Sequence, residues 1–321
     1  MSMKNNPAGL LRYRWQLFIF LVMLVLKDLV DAINDPVRHA LRLNFTPWIH
    51  ALEGDAVRHI QQAFKNDILT VILGYNYIVG YIAIAFFGLV IFAWKNNWRL
   101  ASLTAMNFFV IYLITIPFYL FFPVDVTSDY LPSMEPLMYR LSPWFHEFFV
   151  GSDPFDNCIP SLHIGLPLGL YLCLAAELNR QKAWNVRIYK AFMIFTGVQI
   201  AVFAFSILYL GIHWITDIFV GAAFGFAGAW AVDYYTDGVF LRLDGLERTR
   251  IRRLLRKLPG FRKIRLETGN ENAPDMRRVG PLFFKALFQG ADGGHKKDGE
   301  SRQGQDDPGN QGDGPDPLGE R

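Results

Sequence analysis

Residues 188–235 read IYKAFMIFTGVQIAVFAFSILYLGIHWITDIFVGAAFGFAGAWAVDYY. Lys190, Asp217 and Asp233 are the only Lys, Arg, Asp or Glu residues among them. Two apolar runs, 188–210 and 212–235, are joined by a short uncharged link. A helix needs roughly 20 apolar residues to cross the hydrocarbon layer of a bilayer. Each run meets that length, so the stretch predicts a transmembrane helical hairpin.

The pattern repeats upstream. Apolar runs at 14–30, 68–94, 100–122 and 160–176 bring the expected spans to six. Composition agrees: 52% of the 321 residues are hydrophobic and 19% charged, against about a quarter charged in soluble domains. A disordered chain, a collagen, a disulfide-rich secreted module and a compact nucleic-acid binder are excluded. The expected fold class is all-α, a polytopic membrane protein with six transmembrane helices. Lys4, Arg12 and Arg14 precede the first run as in a signal peptide. No small-residue cleavage site follows, so an uncleaved span is expected. Lys27 and Asp28 lie near its end.

Charge distribution sets the expected orientation, because Lys and Arg favour the cytoplasmic side. The N-terminus, the link with Lys95 and Arg99, and the link with Arg180, Lys182, Arg187 and Lys190 are all basic. Loop 123–159 carries Asp125, Asp129, Glu135, Glu147, Asp153 and Asp156 against Arg140 alone. Six spans place the basic links and both termini inside and the acidic loop outside. Segment 36–64 mixes Arg38, Arg42, Arg58 and His59 with Leu41, Phe45, Trp48 and Ile60. That mixture reads either as amphipathic helices on the membrane surface or as a loop with helical turns. Residues 242–265 hold ten Lys or Arg and suit a helix on an anionic inner leaflet. Residues 290–321 are rich in Gly, Asp, Pro and Gln and are expected to be disordered. The expected organisation is an N-terminal span with its interfacial segment, 1–65; a membrane domain, 66–236; a basic cytoplasmic segment, 237–289; and the tail. Cys158 and Cys173 are fifteen residues apart, roughly 22 Å along a helix and beyond disulfide reach.

Two segments carry the candidate chemistry. Pro160-Ser161-Leu162-His163 opens the fourth span, and Tyr209 to Asp217 opens the sixth. Both fall at the outer ends of their helices, so two histidines share one membrane depth. His213 and Asp217 are neighbours if both are helical. A carboxylate there fixes the imidazole tautomer and leaves the other ring nitrogen to attack or shuttle a proton; the alternative is a polar pair that pins a helix. Pro160 and Ser161 suit a helix start, whose free N–H groups favour phosphate, and His163 could protonate a leaving oxygen. Gly165 and Gly169 on one span, and Gly221 and Gly225 on the other, repeat the spacing that lets membrane helices approach closely. Such packing would bring His163 towards His213.

Together the two segments resemble the type-2 phosphatidic acid phosphatase superfamily, in which Pro-Ser-x-His and His-x-x-x-Asp lie on neighbouring helices. Here the two histidines are 50 residues apart. The resemblance covers roughly 70–235 and implies a six-helix core. It implies that His213 attacks phosphorus, that Asp217 orients it and that His163 protonates the leaving alcohol, with no metal or cofactor. The upstream Lys-x6-Arg-Pro segment of the commoner branch is missing, and Ser206-Ile207 stands where that branch has Ser-Arg. The chain is more similar to the inositol phosphorylceramide synthase branch, with Tyr209 in its tyrosine position and Tyr119 to Pro123 in place of its aromatic-Phe-Pro segment. The implied substrate is a phospholipid or polyprenyl phosphate, with water, inositol or another alcohol as acceptor. Ser161, Tyr209 and Arg140 are the expected substrate-binding residues, Arg140 as the single cation of the outer loop. His146 is read as a surface residue. Two alternatives use the same residues: a metal-dependent hydrolase built on His163, His213 and Asp217, and a proton-relaying transporter. The transporter predicts polar residues through the bilayer depth, whereas these cluster at one face.

Overall fold

A computed structural model describes residues 12–141 and 158–257. His146, the outer-loop acids Glu147, Asp153 and Asp156, and the tail beyond 257 lie outside the described residues. Nine α-helices are described: α1 Arg14–Leu41, α2 Thr46–Glu53, α3 Ala56–Phe64, α4 Asp67–Trp94, α5 Trp98–Phe121, α6 Thr127–Tyr130, α7 Leu162–Arg180, α8 Arg187–Tyr209 and α9 Ile215–Lys257. A 3-10 turn covers Leu137–Arg140. No β-strand occurs among the described residues.

Among the described residues five helices are long and apolar enough to cross a membrane: α4, α5, α7, α8 and Ile215–Leu243 of α9. The described residues are all-helical, and these five helices make the chain an integral membrane protein. The first of the six expected spans differs. Helix α1 matches α4 in length at 28 residues, but Lys27, Asp28 and Asp31 add charge within it. Its outward face is nevertheless apolar, with Leu17, Phe18, Leu21, Val25 and Leu29 exposed. Its inward face lies on α5, where Gln16 meets the Ser102 hydroxyl at 2.8 Å.

Local chemistry accounts for the breaks. Asn66 and Asn97 cap α4 and α5, their side chains accepting from Leu69 N and Leu100 N at 3.1 and 3.2 Å. Gly54 ends α2 with φ +58°, a conformation that costs glycine little. Helix α9 runs unbroken for 43 residues, so residues 242–257 of the basic segment are helical and continue the last span.

Helices α5, α7 and α9 form the centre, and α8 packs on α7 and α4. The close approach expected from the glycine spacing is present. A Cβ on Gly165 would meet the Gly221 carbonyl at 3.0 Å, and one on Gly225 would meet the Gly165 carbonyl at 2.7 Å. Segment 36–64 is helical as α2, α3 and the end of α1, and it packs onto the bundle end. Phe45 N donates to Pro123 O at 3.0 Å, and Phe45 stacks on Phe122 with centroids 4.1 Å apart. One hydrophobic core runs from Tyr13 to Phe240, so residues from the expected 1–65 segment share it.

Candidate functional site

The link after α8 turns at Gly211, whose φ is +83°. A Cβ there would meet the Glu135 carbonyl at 2.9 Å. The turn delivers His213 and Trp214 ahead of α9. His213 is therefore not on a helix with Asp217; it sits in the turn, and Asp217 sits in the first helical turn. The expected pair still forms. His213 Nδ1 lies 3.0 Å from Asp217 Oδ2 and 2.9 Å from the Cys158 carbonyl. Both neighbours accept, so Nδ1 carries the proton and donates to them. Nε2 is left with a free lone pair and no hydrogen-bond partner among the described residues. Asp217 Oδ2 also accepts from Trp214 N at 2.9 Å, the reach-back half of a capping box. Asp217 is wholly buried, and its Oδ1 has no partner among the described residues.

Residues from the N-terminal third hold this turn in place. The Glu53 carboxylate accepts from Ile215 N at 2.8 Å and from the N–H and hydroxyl of Thr216. Gln61 donates to Tyr209 O at 3.0 Å. The buried Trp214 donates through Nε1 to Asp125 O at 3.0 Å, and Asp125 is bound by Arg38, Asn44 and Thr46. Sequence reading missed Glu53, Gln61 and Asp125 as parts of the site, because their partners lie far along the chain.

The start of α7 is arranged differently. Ser161 is its N-cap residue but makes no side-chain cap. Its hydroxyl is buried without a partner among the described residues. The Leu162 and His163 N–H groups likewise find no partner there. The His163 ring stacks on Tyr77 at 3.7 Å, lies 4.5 Å from Tyr81 and meets Phe203 edge-on at 5.7 Å. Tyr77 and Tyr81 are one turn apart on α4, a spacing visible in the sequence but without a motif to mark it.

His163 and His213 line one cavity of about 380 Å³, walled mainly by apolar residues of α1, α4 and α5. Tyr119 also lines it, and its hydroxyl donates to Pro160 O at 3.0 Å. Tyr209 does not. Its hydroxyl donates to Asn66 O at 3.0 Å, accepts from Asn66 N at 3.0 Å and meets the Thr70 hydroxyl at 2.8 Å. It ties α8 to the start of α4. Arg140 ends the 3-10 turn, and its side chain lies outside the described residues.

The metal-binding alternative finds a different set. Sulfur, nitrogen and oxygen of Cys158, His213 and Asp217 lie within 4.8 Å of one another, and His163 is not among them. Both cysteines are buried and neither forms a disulfide among the described residues. Buried charge is not confined to the histidine end either. At the far end Arg180 grips Asp233 at 2.6 and 2.7 Å and Glu177 at 2.9 Å, and Arg99 binds Asp233 at 3.2 Å as well as Asp237. No family model matches the chain, and no curated protein or solved structure matches it.

Proposed function

We propose that this protein is a membrane-embedded phosphoryl-transfer enzyme acting on lipid phosphate head groups, as its resemblance to the type-2 phosphatidic acid phosphatases implies. One observation carries the reading: His213, with Nδ1 held by the Asp217 carboxylate, shares a cavity with His163. In the first step the Nε2 lone pair of His213 attacks phosphorus. The bond from phosphorus to the lipid oxygen breaks, and a protonated His163 gives its proton to that oxygen. In the second step an acceptor oxygen attacks the phospho-histidine, the P–N bond breaks and His163 takes the acceptor's proton. Water as acceptor makes the enzyme a phosphatase; an alcohol such as inositol makes it a phosphotransferase.

The surroundings support these roles. Asp217 stabilises the imidazole as it loses its lone pair to phosphorus. Tyr77 and Tyr81 pack against the His163 ring and fix its orientation at the cavity. The uncapped N–H groups at the start of α7 suit the equatorial phosphate oxygens, whereas Ser161 is not among the residues that line the cavity. In this reading α1 is a further span, the first in chain order, both termini are cytoplasmic and the site faces the opposite side.

A second reading is favoured by the Cys158, His213 and Asp217 set, which would hold a divalent metal for hydrolysis. One experiment separates the two. The protein is purified with EDTA and given phosphatidic acid or a polyprenyl phosphate labelled in the phosphate, with and without inositol. Acid-labile label on wild type but not on His213→Ala is the expected result. Activity that vanishes in EDTA and returns with zinc would establish the metal reading instead.

A further inference from the structure

The cavity also contains a charge that the mechanism above does not use. Lys27 and Asp31 of α1 both line it, and their side chains form an ion pair at 2.5 Å. Ionisable groups within membrane helices are costly and are usually retained for function. Lys27 is the only Lys or Arg lining the cavity among the described residues. Arg38, Arg58, Lys65, Arg99 and Arg180 are also paired with carboxylates, but none of them lines it.

The shape of the cavity indicates what this charge faces. Helices α1 and α4 each pack on α5 and make little contact with one another. Between them lies a cleft, floored by Phe108 and Tyr112 of α5 and closed at one end by His163 and His213. Leu24, Ile82 and Phe86 line this cleft while remaining 41%, 59% and 57% exposed. Its side therefore opens towards the surrounding lipid. A phosphate entering there brings negative charge into an apolar space, where a cation is worth far more than in water.

We propose that Lys27 binds the phosphate group of the lipid, with Asp31 as its counterion while the cleft is empty. This assignment rests on the phosphoryl-transfer reading for its substrate class. An ammonium has three donors, so Lys27 can turn towards phosphate without giving up every contact with Asp31. The lipid-facing wall assigns the phosphate to a lipid; the same chemistry would also accept free phosphate.

The test measures binding in the His213→Ala protein, which leaves turnover out of the readout. The full chain is placed in phosphatidylcholine nanodiscs, and phosphatidic acid binding is titrated by native mass spectrometry. Adding Lys27→Met and Asp31→Asn together removes both charges and avoids a lone buried ion. Loss of one charged contact corresponds to about ten- to hundredfold weaker binding, and that is the expected result. Asp31→Asn alone should tighten binding of phosphatidic acid and leave phosphatidylcholine unchanged; it also serves if the double change fails to fold. Unchanged affinity in the double variant, weaker binding in Asp31→Asn, or no preference for phosphatidic acid in the parent would each overturn the proposal. Displacement of the lipid by inorganic phosphate alone would assign Lys27 to free phosphate and overturn its lipid role. Failure of the phospho-histidine experiment with Lys27-dependent binding intact would instead count against the catalytic reading.

Discussion

The two ends of the bundle treat buried charge in opposite ways. At the far end, two arginines from α5 and α7 close on three carboxylates, and the fully enclosed Asp233 accepts from both arginines. At the histidine end, Asp217 and Ser161 are as deeply buried, yet Asp217 Oδ1 and Ser161 Oγ have no partner among the described residues. Leaving such an atom unmatched costs about 1–3 kcal/mol. A saturated cluster ties helices together and has no valence left for a substrate. An unsaturated one beside a cavity holds its hydrogen-bonding capacity in reserve. The contrast favours a structural role for the arginine cluster and a chemical role for the histidines.

The contrast is open to direct attack. Asp217→Asn should have the largest effect. It removes the charge that fixes the His213 tautomer and should lower phosphate release by about 10³- to 10⁴-fold, with the melting temperature in detergent little changed. A fall of less than tenfold would make the pair a helix pin. At the far end Asp233→Leu should do the reverse. Arg99 and Arg180 would lose their shared counterion, at a cost of about 3–5 kcal/mol in stability, while kcat per folded molecule stays within twofold. A large loss of kcat at unchanged stability would mean that the far cluster belongs to the chemistry, as a transporter would require.

Smaller effects test how the two helix starts are coupled. A Cβ on Gly221 would meet the Ser161 carbonyl at 2.5 Å, so Gly221→Ala must push the start of α7 away from α9. Turnover should fall about 10- to 100-fold, since a displacement of about 1 Å at a reacting group can cost that much. An unchanged rate would show that the Ser161 and His163 positions are not critical. Glu53→Gln should matter least. It keeps a hydrogen-bond acceptor at the start of α9 but removes the charge that complements the helix dipole, worth about 1 kcal/mol. A small drop in melting temperature, with kcat reduced less than tenfold, is the expected outcome.

The elements themselves were legible because their signals are local. The runs at 68–94 and 188–210 match α4 and α8 closely, since a span is announced by unbroken apolar length. The exception, α1, follows from the same rule: its apolar length is interrupted by Lys27, Asp28 and Asp31, although Leu and Phe side chains cover its outward face. Within the site, His213 and Asp217 were legible as a pair through their spacing, although the turn at Gly211 places His213 ahead of the helix. Tyr209 shows the opposite case. Its match to the tyrosine position of the inositol phosphorylceramide synthase branch implied substrate contact, and the fold turns its hydroxyl to Asn66 and Thr70.

Hydropathy, glycine spacing and the two short motifs were thus written in residues a few positions apart, where helix geometry alone relates one side chain to the next. Other features depended on which helices became neighbours and at what height. Glu53 reaches Ile215 across 162 positions of chain. The Tyr77 ring on α4 meets His163 on α7. Lys27 lines a cavity whose other walls come from later helices. No periodicity encodes such pairings, because they arise from the packing of whole helices, set by the summed fit of many side chains.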